Sequence, residues 1–392
     1  MAGSLDGIRV LDLTNIYSGP IAASILGDQG ADVVKVESPE GDFMRNPGWT
    51  QRNGVGAAFA MMNRNKRSVV INLREDEGKA VFMKLVETAD VVMENFRPGV
   101  MERLGIDYDT LAAVNSGLVF ASINGVGHTG PYVGRRVYDA IIQAISGIGS
   151  LQSDPASEKP ILINSLICDK ITSMTAAQAI ASALVAKERT GKGQRVDISM
   201  LDSALFFLWP DNMLNYSLIG DETPHDGRRT HEFMVRQTRD GYICTMPVQA
   251  AEWAGLFRAL ELPNLFEDER FRTQAGLDSE RFSEALNAGY AKFDTDDLAV
   301  RLEENEVPFA RINPRDDVIH DPQVQAMGAL LEFEHPIAGP MRQARPPGRF
   351  TETPAEIFRC SPELGEHTRE VLGEAGYSAD EITDLRARQI VR

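Results

Sequence analysis

Apolar runs of strand length alternate with helix-length segments through the first 125 residues, the pattern of a parallel sheet with crossover helices. Residues 8–13 (IRVLDL) read as a buried strand, 20–29 (PIAASILGDQ) as a helix opened by Pro20, and 32–37 (DVVKVE) as a second strand after the turn at Gly30. Strands at 68–73 (SVVINL), 90–96 (DVVMENF) and 118–123 (LVFASI) follow, with helices over about 75–88 and 108–115 between them. The expected fold class is α/β. A large domain over residues 1–210 holds a Rossmann-like parallel sheet and ends with a helix over 170–189 and the strand RVDISM. From 225 to 330 the texture changes to a hairpin-like TRDGYICTMPV, short amphipathic helices and the turn-rich NPRDDVIHDPQV, which read as a smaller α+β domain. Residues 331–392 read as a linker containing QARPPGRF and a helical segment that returns to the large domain.

A length of 392 residues suits two domains or one large domain with an insertion, and no run of about 18 apolar residues offers a membrane span. The formal charge of -17 argues against nucleic acid and anionic membranes as partners, so a polyanionic ligand needs a local basic pocket. MAGSLDGIRVLDL lacks the features of a secretory signal, and Cys168, Cys244 and Cys360 lack metal-ligand spacing and make an odd total. A cytoplasmic protein is expected. None of the six histidines is spaced i, i+3 or i+4 from another, so no metal site is expected.

The first βα turn, TNIYSGP, has only Gly19, whereas a dinucleotide cradle needs G-x-G-x-x-G. Glu37 stands where a ribose-binding acid would sit, yet with one glycine the turn reads better as an ordinary one in a Rossmann-like sheet. Asp169 lies immediately before KITSMTAAQAIASALVAKE, where free backbone N–H groups stabilise an anion; alone, it reads as an N-cap. Arg64, Lys66, Arg67, Arg74, Arg97, Arg103, Arg135 and Arg136 fall mostly near strand ends or loops, as ligand contacts or as solvated charges paired with the many carboxylates. There is no G-x-S-x-G elbow for a serine hydrolase.

Seven segments in order resemble the family III CoA-transferases, the group that includes formyl-CoA transferase and α-methylacyl-CoA racemase. They are RVLDLTNIYSGPIAASILGDQGADVVKVESPEGD, NRNKRSVVINL, DVVMENFRPGVMERLGIDY, YDAIIQAISG, ERTGKGQRVDISMLDSA, VPFARINPRDDVIHDPQV and LGEHTREVL, covering nearly the whole chain. The resemblance implies that Asp169 is a nucleophile that forms an acyl-aspartyl anhydride and then an aspartyl-CoA thioester. It implies CoA contacts at Tyr17, Ser18, Ile71, Asn72, Leu73, Arg74, Asn95, Phe96, Arg97, Arg103, Arg135, Arg136, Val137 and Tyr138, by arginine and by main-chain N–H groups. CoA is then a cosubstrate, with no tightly bound cofactor, and the partners are an acyl-CoA, a small carboxylic acid and a second copy in an interlocked homodimer. Connectors near 210–225 and 330–360 would permit the interlocking.

Three departures from the family's pattern bear on specificity. Tyr138 replaces the histidine of the racemases, which removes an imidazole base. Tyr17 replaces the first-turn glutamine of the formyl-CoA transferases, and their glycine run in the second domain is missing. Ser38 stands where a basic residue is expected. Transfer of CoA between an acyl-CoA and a free acid is the leading expectation, with a racemase or isomerase, or a non-catalytic CoA-ester-binding protein, as alternatives. Tyr17, Trp49 and Tyr138 are candidate walls of the acyl pocket.

Overall fold

The computed structural model describes the chain except residues 1, 2, 47, 49, 154–156, 158, 221–233 and 273–279, so Trp49 lies outside the described residues. Two units emerge, Met1–Thr223 with Gly328–Arg392, and Pro224–Met327. In the first, six strands form one sheet: β1 (Arg9–Asp12), β2 (Asp32–Glu37), β3 (Lys66–Val70), β4 (Val91–Glu94), β5 (Val119–Asn124) and β6 (Gln194–Ser199). Their order is β3-β2-β1-β4-β5-β6 and every neighbouring pair is parallel. The order reverses between β1 and β4, and in such sheets the crevice beyond the carboxyl ends of those two strands is where ligands bind.

The strands are apolar on both faces because helices cover both. On one face Leu11, Val34, Val69, Val92 and Phe120 pack with Val81, Phe82 and Leu85 and with Val371, Leu372, Ile382 and Leu385 near the C-terminus. On the other, Val10, Val33, Val91, Met93 and Ile123 pack with α1 (Ser18–Asp28) and with α4, Ile167–Thr190. Of the helices between them, α2 is Asp76–Val86 and α3 is Asp139–Ser146; α5, Met200–Asn212, follows β6. Each large side chain buried this way is worth about 1.5–3 kcal/mol, so the two layers fix the strand ends on which the site is built. Helix α4 is alanine-rich, carries Lys187 and Arg189 in its last turn, and stops at Gly191 with φ 68°, the left-handed conformation that glycine accepts.

The second unit has an antiparallel sheet in which Tyr242–Thr245 lies between Met234–Gln237 and Phe309–Arg311. Its core gathers Phe257, Phe271, Phe282 and Tyr290, with Trp253 and Phe266 packed against it.

Three sequence-based expectations need correction. The strand expected at 68–73 runs Lys66–Val70, and Ile71 bridges Val391 instead. Two charged residues begin that strand because each has partners: Lys66 bonds Asp12, Asn63 and the Pro20 carbonyl, and Arg67 bonds Asp32, Glu370 and Glu374. The helix expected from 170 starts at Ile167 with Leu166 as its N-cap, so Asp169 is its third residue rather than its cap. The segment read as linker opens with a hairpin, Leu330–His335 paired to Gly339–Ala344, whose turn lets the two strands satisfy each other's backbone.

Candidate active site at the carboxyl edge of the sheet

The loop leaving β1 is fixed by buried charge. Asp12, fully buried, accepts from the Thr14 N–H at 2.9 Å and from the Lys66 ammonium at 2.8 Å. Lys35, equally buried, donates to the Thr14 carbonyl at 2.8 Å and pairs with Asp42 at 2.9 Å. Burial pulls the Lys66 ammonium down to about 8, against the attraction of Asp12. Paired in this way the charges are tolerated, while removal of one partner would leave the other uncompensated. Asp42 also accepts from the Ile16 N–H at 3.3 Å, and Ile16 has φ 73°, a region that β-branched residues avoid. Such strain persists only where surrounding bonds over-determine the backbone, as at a working loop.

Asn15, after β1, and Asn95, after β4, clasp each other across the switch point. The Asn15 N–H donates to the Asn95 side-chain oxygen at 2.9 Å, and the Asn95 amide donates to the Asn15 carbonyl at 2.8 Å. Gly19 lets α1 start close to this loop, since a Cβ there would lie 2.3 Å from Thr14. The first turn of α1 therefore presents its free N–H groups toward the crevice.

Asp169 meets that turn. Ser18, through its hydroxyl and its backbone N–H, favours the charged form of that carboxylate, while the Ser173 hydroxyl donates to the Ser18 carbonyl at 2.8 Å and ties α4 to α1. Asp169 thus sits at the positive ends of two helices, its own and α1. Burial, followed by the negative charge of Asp139, pushes its carboxyl up to about 6 against the opposing influence of Ser18. Asp139 is 1 % exposed; it accepts from the Asp169 N–H at 3.0 Å and from Gln143 at 2.6 Å. Gln143 in turn accepts from the Ile163 N–H at 2.9 Å, so the chain entering α4 is pinned to α3. Cys168, next to the carboxylate, is fully buried and its thiol is pushed up to about 12 by burial, which disfavours the thiolate that a nucleophile needs.

A cavity of about 230 Å³ opens over Asp169 and is lined by Tyr17, Ser18, Asn95, Phe96, Arg97, Arg135, Arg136, Val137 and Tyr138 of the expected contacts. No histidine lines it. Arg103 joins Asn95, Phe96 and Arg97 around a second hollow of about 430 Å³ that shares those walls. The segment 71–74 departs from expectation. Ile71 is 0 % exposed in the sheet core, which removes its side chain from any ligand contact. The N–H groups of Ile71, Asn72, Leu73 and Arg74 donate to Glu37, Ile390, Ile71 and Asn72, so main-chain donors are not free there. Asn72 lines a separate cleft. Among the basic candidates, Arg64 is committed to Asp28, Lys66 to Asp12 and Arg67 to Asp32, whereas Arg97, Arg103, Arg135 and Arg136 stand at the cavities. Glu37 is likewise structural, bound by Arg45 and Ser68.

Residues 5–368 match the family described as CoA-transferase family III. The chain belongs to that family. It is 34% identical over 383 residues to succinate–glutarate CoA-transferase of Agrobacterium fabrum (strain C58 / ATCC 33970), covering 94% of this chain and 95% of the relative. It is 35% identical over 400 residues to the alpha subunit of succinyl-CoA–L-malate CoA-transferase of Chloroflexus aurantiacus, covering 99% and 92%. The crystal structure of a CAIB/BAIF family protein from Brucella suis superposes with a TM-score of 0.82 at 34% identity, covering 96% of this chain and 100% of that one. As a family III member the chain is a CoA-transferase with CoA as substrate, and among the described residues no helix is long and apolar enough to cross a membrane and no cluster could hold a metal ion.

Sequence reasoning missed Asn15, Ile16, Gly125 and the positioning pair Asp139 and Gln143. Asn15 and Asn95 each follow a buried strand at the switch point, a signal that the βαβ pattern carried. Gly125 is needed for close approach: a Cβ there would lie 1.9 Å from a Val137 methyl, so the wall from Arg135 to Tyr138 could not seat on the end of β5. No linear pattern marks that contact.

Proposed function

We propose that this chain moves CoA from an acyl-CoA to a free carboxylic acid with Asp169 as the covalent carrier. The observation that carries this reading is a half-buried carboxylate at two helix N-termini, open to a cavity flanked by Arg97, Arg135 and Arg136. A carboxyl near 6 is mainly ionised at pH 7 yet poorly solvated, which suits a nucleophile. An Asp169 oxygen attacks the thioester carbonyl; the C–S bond breaks, leaving an acyl-aspartyl anhydride and CoA thiolate. The thiolate attacks the aspartyl carbonyl and releases the donor acid, giving the aspartyl-CoA thioester. The acceptor carboxylate attacks that thioester and returns CoA thiolate; attack of the thiolate on the new acyl carbonyl yields the product and restores Asp169. Bonds and charge balance, and the reading requires that water be kept from both intermediates, whose hydrolysis wastes the activation.

The named relatives act on succinate, glutarate and malate, so a dicarboxylic acyl-CoA such as succinyl-CoA is the first donor to test, against a panel of acids read by mass of the new CoA ester. New esters that depend on Asp169 support the proposal; an enzyme that only exchanges α-protons with solvent defeats it. The absence of an imidazole from the cavity lining weighs against racemisation.

We further propose an interlocked homodimer acting in the cytoplasm. Phe206 is 82% exposed and Ile219 97%, with Phe207, Trp209, Tyr216 and Leu218 also exposed over the same short stretch. Apolar surface so concentrated marks an interface. Free thiols at Cys168, Cys244 and Cys360 fit a reducing compartment. Molar mass in solution, with Phe206→Glu as the variant expected to impair assembly of the pair during folding, checks the dimer.

A further inference from the structure

One buried acid borders the site without lining either cavity. Glu94 is the last residue of β4, 5% exposed, and alternation puts it on the same sheet face as Val92, so a carboxylate stands where an apolar side chain would continue the core. It lines a small hollow with Phe96, Met101, Tyr108, Phe120 and Ser122. Arg195 and His128 line the same hollow but are turned to Asp197, each at 2.9 Å, and no described cation forms an ion pair with Glu94. The Glu94 carboxylate accepts from the Phe96 N–H at 2.7 Å. Burial pushes this carboxyl up from 4.5 to about 7, against the opposing influence of Ser122 and of that N–H. The folded chain therefore binds its proton more tightly than the unfolded one, and ionisation costs stability, in full above about pH 7 and not at all below 4.5. An apolar side chain would fill the place without that cost.

What the acid holds is the loop that follows it. Residues 95–99 are fixed at three points: Glu94 takes the Phe96 N–H at the start, the Asn95 side chain clasps the Asn15 backbone, and the Val100 N–H donates to the Arg97 carbonyl at 3.1 Å where the helix Val100–Leu104 begins. Between these points Asn95, Phe96 and Arg97 line the cavity over Asp169 and the hollow beside it. We propose that Glu94 is a positioning residue for CoA binding: by accepting from the Phe96 N–H it sets the loop that places Asn95 and Arg97 at the cavity. A buried N–H deprived of its acceptor must find another, and the turn it closed moves with it. A guanidinium fork matches anionic oxygens only in a narrow geometry, so a shifted loop loosens the grip of Arg97 on an anionic ligand. This inference rests on the reading of the cavity as the CoA-ester site and adds to it a residue that lies outside the cavity wall.

The test is calorimetric titration of the full chain with CoA at pH 7, on the wild type, Glu94→Leu and Glu94→Gln, with a thermal melt of each. Leucine removes the acceptor and suits the apolar surroundings, whereas glutamine keeps an acceptor oxygen for the Phe96 N–H. The leucine variant is expected to bind CoA about tenfold more weakly, the equivalent of one hydrogen bond, while melting no earlier than the wild type. The glutamine variant is expected to stay within about twofold of the wild-type Kd, a rescue that a purely steric role for the side chain would not single out. An unchanged Kd in the leucine variant overturns the inference, and so does a glutamine variant as weak as the leucine one. Failure of the wild type to bind CoA instead defeats the reading of the cavity as a CoA site. Should the leucine variant melt early, Glu94→Met, unbranched like glutamate, is read in the same way.

Discussion

The backbone N–H of Asp169 donates to the buried carboxylate of Asp139 at 3.0 Å, so one acid positions the other and also charges its surroundings. The pairing fixes the first turn of α4 against α3 and raises the Asp169 carboxyl by repulsion, after the larger effect of burial.

Replacing Asp139 by Asn keeps an acceptor for the Asp169 N–H and removes the negative charge. The acid limb of kcat/KM, set in the wild type by a carboxyl near 6, then moves to lower pH. A pH–rate profile measured between pH 4 and 8 checks this; an unmoved limb shows that another group controls it.

Asp169→Asn trades function for stability. A carboxyl raised from 3.8 to about 6 binds its proton more tightly in the folded chain than in the unfolded one, so ionisation costs stability, fully above pH 6 and not at all below 3.8. Asparagine removes that cost, and the gain at pH 7 is on the order of 2–3 kcal/mol before any loss of the favourable contact with Ser18. Urea melts at pH 7 and pH 4 are expected to show the variant more stable at the first and equal at the second, with transfer abolished.

Gly125→Ala tests the cavity wall. The added methyl displaces Val137 and with it Arg135 to Tyr138, at a cost of about 1–3 kcal/mol typical of overpacking. KM for the acyl-CoA is expected to rise several-fold with a fold intact by circular dichroism; unchanged KM would show that this wall does not touch the substrate.

Much of the first unit was legible because parallel strands buried on both faces read as continuous apolar runs, as in DVVKVE and DVVMENF. The start of β3 was not, since Lys66 and Arg67 look like surface residues until Asp12, Pro20 and Asp32 are brought to them from elsewhere in the chain. Asp169 stood out from its place near a helix start and from the family's motif, whereas Asp139 and Gln143 act through contacts 20 to 30 residues away. Ile71 was misplaced for the converse reason: its segment matches the family, but the side chain continues the core.

The measurement that bears most directly on the account is peptide mass spectrometry of the protein quenched in acid during turnover with succinyl-CoA. The account predicts CoA or acyl mass on the peptide carrying Asp169, sensitive to hydroxylamine and missing in Asp169→Ala. An unmodified peptide throughout turnover, or full transfer activity in the alanine variant, would contradict it.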